Sequence, residues 1–217
     1  MNLVFLGLPG SGKGTQAVRL ARRLSMPHLS TGDLLRAAVR DKTPLGRDAE
    51  KYMKAGELVP DSVIIDLIGE KKASGDLDRG FILDGFPRTV PQAEALGALF
   101  ADGHGIDKAI LLEVDEDEIV RRLSNRLSCE SCQVIYGQVT NPPKRPGMCD
   151  RCGGRLIQRQ DDAPEVIKKR LGVYQEQSRP VEEYYRKRSL LLVIPGLGTP
   201  KEIFARVIAG LDITVDA

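Results

Sequence analysis

Apolar residues run along this chain in two alternating textures. Short apolar runs at 2–6, 81–83, 109–114 and 190–194 have the length and composition of buried strands. Between them, apolar positions recur every three or four residues. They do so at Ala17, Leu20, Ala21 and Leu24, and again within 62–72, 91–100, 115–127 and 164–188. That spacing collects apolar side chains on one face of a helix. Strand alternating with helix predicts an α/β fold in which helices wrap a parallel sheet. Two stretches break the alternation. Residues 30–60 are helical in pattern with no strand, which predicts a small helical insertion. Residues 129–158 are rich in Pro and Gly, lack a long periodic segment, and read as a separate small unit.

The first strand runs directly into GLPGSGKGT at 7–15, and a helix pattern follows. Gly7, Gly10, Gly12 and Gly14 allow backbone N–H groups and a helix N-terminus to approach an anion, and Lys13 adds a point charge. Strand, glycine loop and helix together separate a phosphate cradle from an ordinary glycine-rich turn. The usual pattern ends in Lys followed by Ser or Thr, whose hydroxyl binds Mg²⁺. Here Gly14 follows Lys13, and Thr15 comes one place late.

The second strand ends in FILDGFPR, 81–88, and delivers Asp84 at its carboxyl end, where such sheets bind ligands. A carboxylate there could organise Mg²⁺ or its waters, or merely begin an Asp-Gly turn. Arg122 and Arg126 stand four apart in the 115–127 helix pattern, so they are expected side by side on one face, as an anion site or a solvated basic patch. Asp115 with Glu118 predicts a helix-capping pair. Cys129 and Cys132 form one C-x2-C and Cys149 and Cys152 another, with 16 residues between. Two such knuckles suit tetrahedral thiolate coordination of structural Zn²⁺, with disulfides and an iron–sulfur cluster as alternatives. His28 and His104 have no evident partners and are expected to be structural or solvent-facing.

Composition narrows the setting. A chain of 217 residues can bury one substantial core with insertions. Lys and Arg number 32 against 30 Asp and Glu, a net charge of +2 that gives no reason to expect a nucleic-acid or membrane partner. No apolar run approaches the ~20 residues of a membrane span, and no secretory leader pattern opens the chain. A cytoplasmic location is the expectation, and there cysteines serve metals or reactive chemistry more often than disulfides.

Taken together, GLPGSGKGT, STGDLLR at 30–36, LDGFPRT at 83–89 with Gln92, and RQDD at 159–162 resemble the adenylate kinases, in family order along nearly the whole chain. The cysteine unit, with NPPK at 141–144, is similar to the zinc-bearing lid of the long-lid branch. The resemblance implies a three-layer phosphate-loop core with a parallel five-stranded sheet, built from 1–29, 60–127 and 160–217. It also implies a helical AMP-binding insert at 30–59 and a small zinc-bearing β lid at 128–159.

The implied reaction is Mg·ATP + AMP ⇌ 2 ADP, by a monomer acting on small-molecule substrates. Gly10, Ser11, Gly12, Lys13, Gly14, Thr15, Arg122, Arg126, Tyr136 and Gly198 would face ATP. Thr31, Arg36, Glu57, Val59, Gly85, Arg88, Gln92, Arg159 and Arg170 would face AMP. Lys13, Arg88, Arg126, Arg159 and Arg170 would act on the transferred group, with Asp84 and Asp33 holding the waters of Mg²⁺. In this family Gly commonly follows the loop lysine, so Gly14 marks the branch. Three positions depart from the family pattern: Gln133 where Gly is frequent, Gly137 where His is, and Pro195 where Asp is. Rival readings are a kinase for another monophosphate, UMP or CMP, and a nucleotide-switched protein whose knuckle grips nucleic acid. The near-neutral charge and few aromatics weigh against the latter.

Overall fold

The computed structural model describes residues 1–101, 103, 105–138 and 141–213, so His104 lies outside the described residues. Five parallel strands form the central sheet: β1 (Asn2–Leu6), β2 (His28–Ser30), β3 (Phe81–Asp84), β4 (Lys108–Glu113) and, last in the chain, β8 (Leu191–Pro195). Their order across the sheet is β2-β3-β1-β4-β8.

Because strand side chains alternate, each strand feeds both faces. Leu3 and Phe5 pack with Ala17, Leu20 and Ala21 of α1 (Lys13–Leu24) and with Ile203 and Val207 of α9 (Pro200–Gly210). Val4 and Leu6 point the other way. They join Ile64 and Ile68 of α4 (Asp61–Ala73), Ala93 and Leu96 of α5 (Val90–Leu99), and Val181 and Tyr185 of α8 (Arg179–Arg186). Both faces are thus sealed, as an all-parallel sheet requires. The expected α/β three-layer core with five parallel strands is present.

β2 escapes the apolar pattern because it is three residues, HLS, with one aliphatic side chain. It sits at the sheet edge beside β3, with Ser30 level with Asp84. His28 on β2 is partly buried, and burial lowers its pKa while Asp84 and then Asp33 oppose the shift.

Between β2 and α4, helices α2 (Thr31–Arg40) and α3 (Pro44–Ala55) pack on each other. The serine and threonine preceding them, Ser30 and Thr43, cap them by accepting from Asp33 N and Gly46 N.

Two expectations are corrected here. The helix expected over 115–127 is α6, Glu116–Ser124. Asn125 ends it, and Arg126 opens β5 (Arg126–Cys129). Leu123 and Leu127 mimic helical spacing, yet Leu127 pairs with Tyr136 in a sheet. The Asp115–Glu118 capping pair does not form either. Asp115 makes no side-chain cap, and the Glu118 carboxylate instead accepts from Arg121 and Arg122.

β5 is the middle strand of a small antiparallel sheet with β6 (Ile135–Gly137) and β7 (Leu156–Ile157). The helical pattern expected over 164–188 is interrupted. α7 (Pro164–Val173) passes through a π-helical turn, Tyr174–Ser178, before α8.

Candidate active site

All five strands of the main sheet run the same way, so their carboxyl ends gather on one edge, and the connections leaving that edge build the site. β1 leads into the glycine loop, in which Gly7, Gly10 and Gly12 have φ of 130°, 87° and 99°. These values are costly for any residue with a Cβ. The Lys13 ammonium folds back over this loop and donates to the carbonyls of Gly7 at 2.7 Å and Leu8 at 2.8 Å.

The residue after the lysine now has a physical explanation. A Cβ on Gly14 would lie 2.9 Å from Oδ2 of Asp84. The Asp84 carboxylate therefore occupies the space that a hydroxyl-bearing side chain at 14 would need. An acidic group from β3 stands where other phosphate loops place a hydroxyl, and as an oxygen donor it suits Mg²⁺ or its waters.

The next connections supply the opposite wall. Thr31 donates from Oγ1 to Gly85 O at 2.9 Å, and Arg88 donates from Nε to the same carbonyl at 2.7 Å. A Cβ on Gly85 would approach Arg88 Nη2 to 3.0 Å and Thr31 Oγ1 to 3.1 Å, which explains the glycine. Arg36 pairs with Asp33 across one helical turn. Burial would raise the Asp33 pKa, but the Arg36 guanidinium beside it holds the carboxyl below its ordinary value.

Three carboxylates align the remaining arginines: Asp161 and Asp162, to which the sequence assigned no role, and Glu118, expected instead to cap a helix. Asp162, almost fully buried at 1 % exposure, accepts two bonds from Arg126, at 2.7 Å from Nε and 2.5 Å from Nη2. Such a two-pronged contact fixes the plane of the guanidinium. Asp161 accepts from Arg170 Nη1 at 2.8 Å. Glu118 accepts from Arg122 Nε at 2.7 Å, while Arg122 also reaches Ser11 O at 3.2 Å and Gly196 O at 2.9 Å. Hydrogen bonds from Arg121 first, and then from Arg122, hold the Glu118 carboxyl well below the usual range. The available signals were the acidic pair directly after Arg159 in RQDD and the three- and four-residue spacing of Glu118 to Arg121 and Arg122.

Because Arg126 lies on β5, its neighbourhood with Arg122 is not that of two residues on one helix face. Both still line one cavity of about 690 Å³, with Lys13, Arg36, Arg88, Arg159 and Arg170. Asp33, Asp84, Gly10, Ser11, Gly12, Gly14, Thr15, Thr31, Glu57, Val59, Gly85, Gln92, Tyr136 and Gly198 line the same cavity. Glu57 is an exposed acid 3.8 Å from the Lys169 ammonium. Tyr136 contributes to the wall, but its hydroxyl is committed elsewhere: it accepts from Asp150 N at 2.8 Å and lies 3.5 Å from Cys149 Sγ.

The electrostatics are those of a site in need of anions. Burial lowers Arg159 to about 10, with Arg36 and Arg126 adding repulsion, and Arg170 likewise to about 10 against the pull of Asp161. Both remain charged at neutral pH. Nε and Nη2 of Arg159 are buried with no hydrogen-bond partner among the described residues.

Burial also pulls Lys13 down to about 7, with Asp84 opposing and Arg88, Arg170 and Arg126 contributing. Between that value and the ordinary lysine pKa, the unfolded chain binds the proton that the folded chain has lost. The Lys13 contribution to stability therefore rises with pH across this window, and below it the charged amine opposes folding in full. A bound polyphosphate reverses the balance by favouring the ammonium. Titrating ATP into the protein at pH 8 should accordingly take up most of a proton at this lysine. Calorimetry in two buffers of different ionisation heat reads the uptake, which Lys13→Met should abolish; equal heats in both buffers would contradict it.

Away from this cavity, the four cysteines form a second constellation. All are free, and their Sγ atoms lie within 4.8 Å of one another. Cys129 and Cys152 are 3.4 Å apart and Cys132 and Cys149 3.5 Å. A regular tetrahedral site with zinc–sulfur bonds of about 2.3 Å separates its sulfurs by about 3.8 Å, so the donor set fits a single closed metal ion. The disulfide alternative is not the arrangement present.

The two knuckles share one turn. Gln133 N donates to Cys129 O and Gly153 N to Cys149 O, and both Gln133 and Gly153 are left-handed, with φ of 59° and 73°. This geometry favours glycine at position 133. Gln133 adopts it at a cost of about 1–2 kcal/mol and donates from its side chain to Glu130 O.

These two constellations, the cation-lined cavity and the cysteine knuckles, lie within matches that cover almost the whole chain. The family model described as Adenylate kinase matches residues 5–190. The chain belongs to the adenylate kinase family. It is 50 % identical over 212 residues to the adenylate kinase of Trichlorobacter lovleyi, covering 97 % of this chain and 99 % of the relative. The adenylate kinase of Thermodesulfovibrio yellowstonii is 48 % identical over 98 % of this chain and 99 % of its own length. That of Lachnospira eligens is 46 % identical over 96 % and 98 %. Among the described residues, no helix is long and apolar enough to cross a membrane.

Proposed function

We propose that this chain catalyses reversible transfer of the terminal phosphoryl group of Mg²⁺-bound ATP to AMP, forming two ADP. The observation that carries the reading is the gathering of cations on one cavity: Lys13, Arg36, Arg88, Arg122, Arg126, Arg159 and Arg170, with Arg19 and Arg121 also in its wall. The two substrates bring about six negative charges, and charge spreads further over the transferred group in the transition state. Bringing such polyanions together is the main obstacle, and fixed cations in a water-poor cavity answer it.

The attacking group is an AMP phosphate oxygen. With a second pKa of about 6, that phosphate is already ionised at neutral pH, so no general base is required. The glycine loop, Lys13 and Arg122 hold the ATP phosphates, and the backbone of 135–137 and Gly198 faces the rest of ATP. Thr31, Arg36, Gly85, Val59, Arg88 and Gln92 hold AMP. Arg126, Arg159 and Arg170 converge on the transferred group.

Mg²⁺ travels with the nucleotide and neutralises developing charge, and Asp84 and Asp33 would hold its waters. Zn²⁺ on Cys129, Cys132, Cys149 and Cys152 would be structural and stiffen the small sheet. That sheet acts as a lid: Arg126 opens it and Arg159 follows its last strand, so closure would bring cations in while excluding water as acceptor. The insert at 30–59 and the lid at 128–159 are the moving parts, and the remainder is the core.

A coupled assay offering ATP with AMP, UMP, CMP or no acceptor tests the reading. ADP should form with AMP at far the highest kcat/KM and not without an acceptor. Preference for UMP or CMP would replace the proposed acceptor, and no transfer to any monophosphate would overturn the reaction.

A further inference from the structure

Gln92, one of the residues assigned to AMP, does not have a free amide. Its Oε1 accepts from Arg88 N at 2.7 Å, and its Nε2 donates to Oδ1 of Asp61 at 2.6 Å. Asp61 begins α4, 31 residues away in sequence, and its second oxygen accepts from Thr89 Oγ1 at 2.9 Å. Thr89 in turn caps α5 by accepting from Gln92 N at 3.2 Å. A closed circuit of hydrogen bonds therefore links the first turns of α4 and α5 through one carboxylate.

An amide has two N–H donors and two oxygen lone pairs, and unlike most side chains it can present either end after a half-turn. A carboxylate accepts only, so Asp61 demands the nitrogen end, while the Arg88 N–H demands the oxygen end. The two contacts select the same orientation. One N–H and one lone pair remain for the cavity that Gln92 lines.

We infer that Asp61 is a positioning residue for base selection, locking the Gln92 amide in the sense that suits a 6-amino purine and disfavours a 6-oxo purine. The inference rests on AMP being the acceptor. Adenine offers a ring-nitrogen acceptor beside an amino donor, which a locked amide matches at both atoms. Hypoxanthine offers a ring N–H beside a carbonyl, which meets donor with donor and acceptor with acceptor. A freely turning amide would satisfy either base. A site whose polar groups are fixed rejects the mismatched base because those groups are left unpaired. Asp61 also adds a negative charge at a helix start, a purely structural benefit that would not alter a ratio between two bases.

The test is calorimetric affinity for AMP and for IMP, with KM for both substrates where turnover is measurable. Asp61→Ala should weaken AMP binding ~10-fold, leave KM for ATP unchanged, and lower the preference for AMP over IMP ~10-fold. Asp61→Asn still offers an oxygen to Gln92 and should keep most of the preference. In a Gln92→Ala background, Asp61→Ala should change the ratio by less than about 2-fold. Should Asp61→Ala fail to fold, Asp61→Ser, too short to reach the amide, is measured in its place. A folded Asp61→Ala or Asp61→Ser variant that keeps the wild-type AMP-to-IMP ratio within about 2-fold overturns the inference alone. A wild-type chain that does not phosphorylate AMP overturns the proposed reaction and the inference with it.

Discussion

Arg88→Ala should lower turnover of ATP with AMP by ~100-fold or more while leaving the protein folded. The loss of one fixed charge-stabilising group from a transition-state site costs about 3–4 kcal/mol, which corresponds to that range. The structure gives reason to expect the fold to survive. Burial pushes the Arg88 guanidinium below its ordinary pKa, Asp84 pulls the other way, and Arg36 repels it. Among the described residues, its side chain makes one hydrogen bond, to Gly85 O. A cation so placed is a burden on the folded state unless an anion joins it. The melting temperature of Arg88→Ala should therefore equal or exceed that of the wild type. Lys13→Ala should behave alike, since burial opposes the Lys13 charge too. Turnover within a few-fold of wild type in either folded variant would remove that residue from the phosphate site.

Removing the metal should produce the second large effect, on stability. Among the described residues, the unit built on β5, β6 and β7 has a core of Cys129, Tyr136, Cys149 and Leu156, with Leu127, Cys132 and Val134 packed against it. Two of its four buried members are metal-site cysteines, so apolar burial alone is small. Thiolate zinc sites in comparably small units are worth ~10–16 kcal/mol, and without the ion such units do not hold their fold. Metal analysis should find one zinc per chain. Cys129→Ser, or a strong chelator, should lower the first melting transition by about 5–10 °C, a loss of a few kcal/mol for a chain of this size. A metal-free protein with an unchanged melting curve would contradict the zinc assignment.

The parts of this molecule that could be read in advance are those whose logic is local. The glycine loop, Asp84 at the end of β3 and the paired C-x2-C knuckles each complete their pattern within a few residues. What escaped depends on partners distant in sequence. Arg126 resembled a helix residue because Leu123 and Leu127 keep helical spacing, whereas its strand and its orientation are set by Tyr136 and Gly137 across the sheet and by Asp162, 36 residues on. Glu118 resembled half of a helix cap, but two arginines take both its oxygens. β2 is too short to show a period, and only its pairing with β3 makes it a strand. Gly14 is the intermediate case. Its departure from the usual loop was plain in the sequence, but the reason, a carboxylate from another strand filling the space, is a tertiary fact.

The central claim is that one cavity passes a phosphoryl group directly between two nucleotides. It is tested most directly by following labelled phosphate from the γ position of ATP in the presence of Mg²⁺ and AMP. The account predicts that the label appears in ADP, with two ADP formed per ATP consumed and hardly any inorganic phosphate. Label released mainly as inorganic phosphate, or ADP appearing at the same rate without AMP, would contradict it.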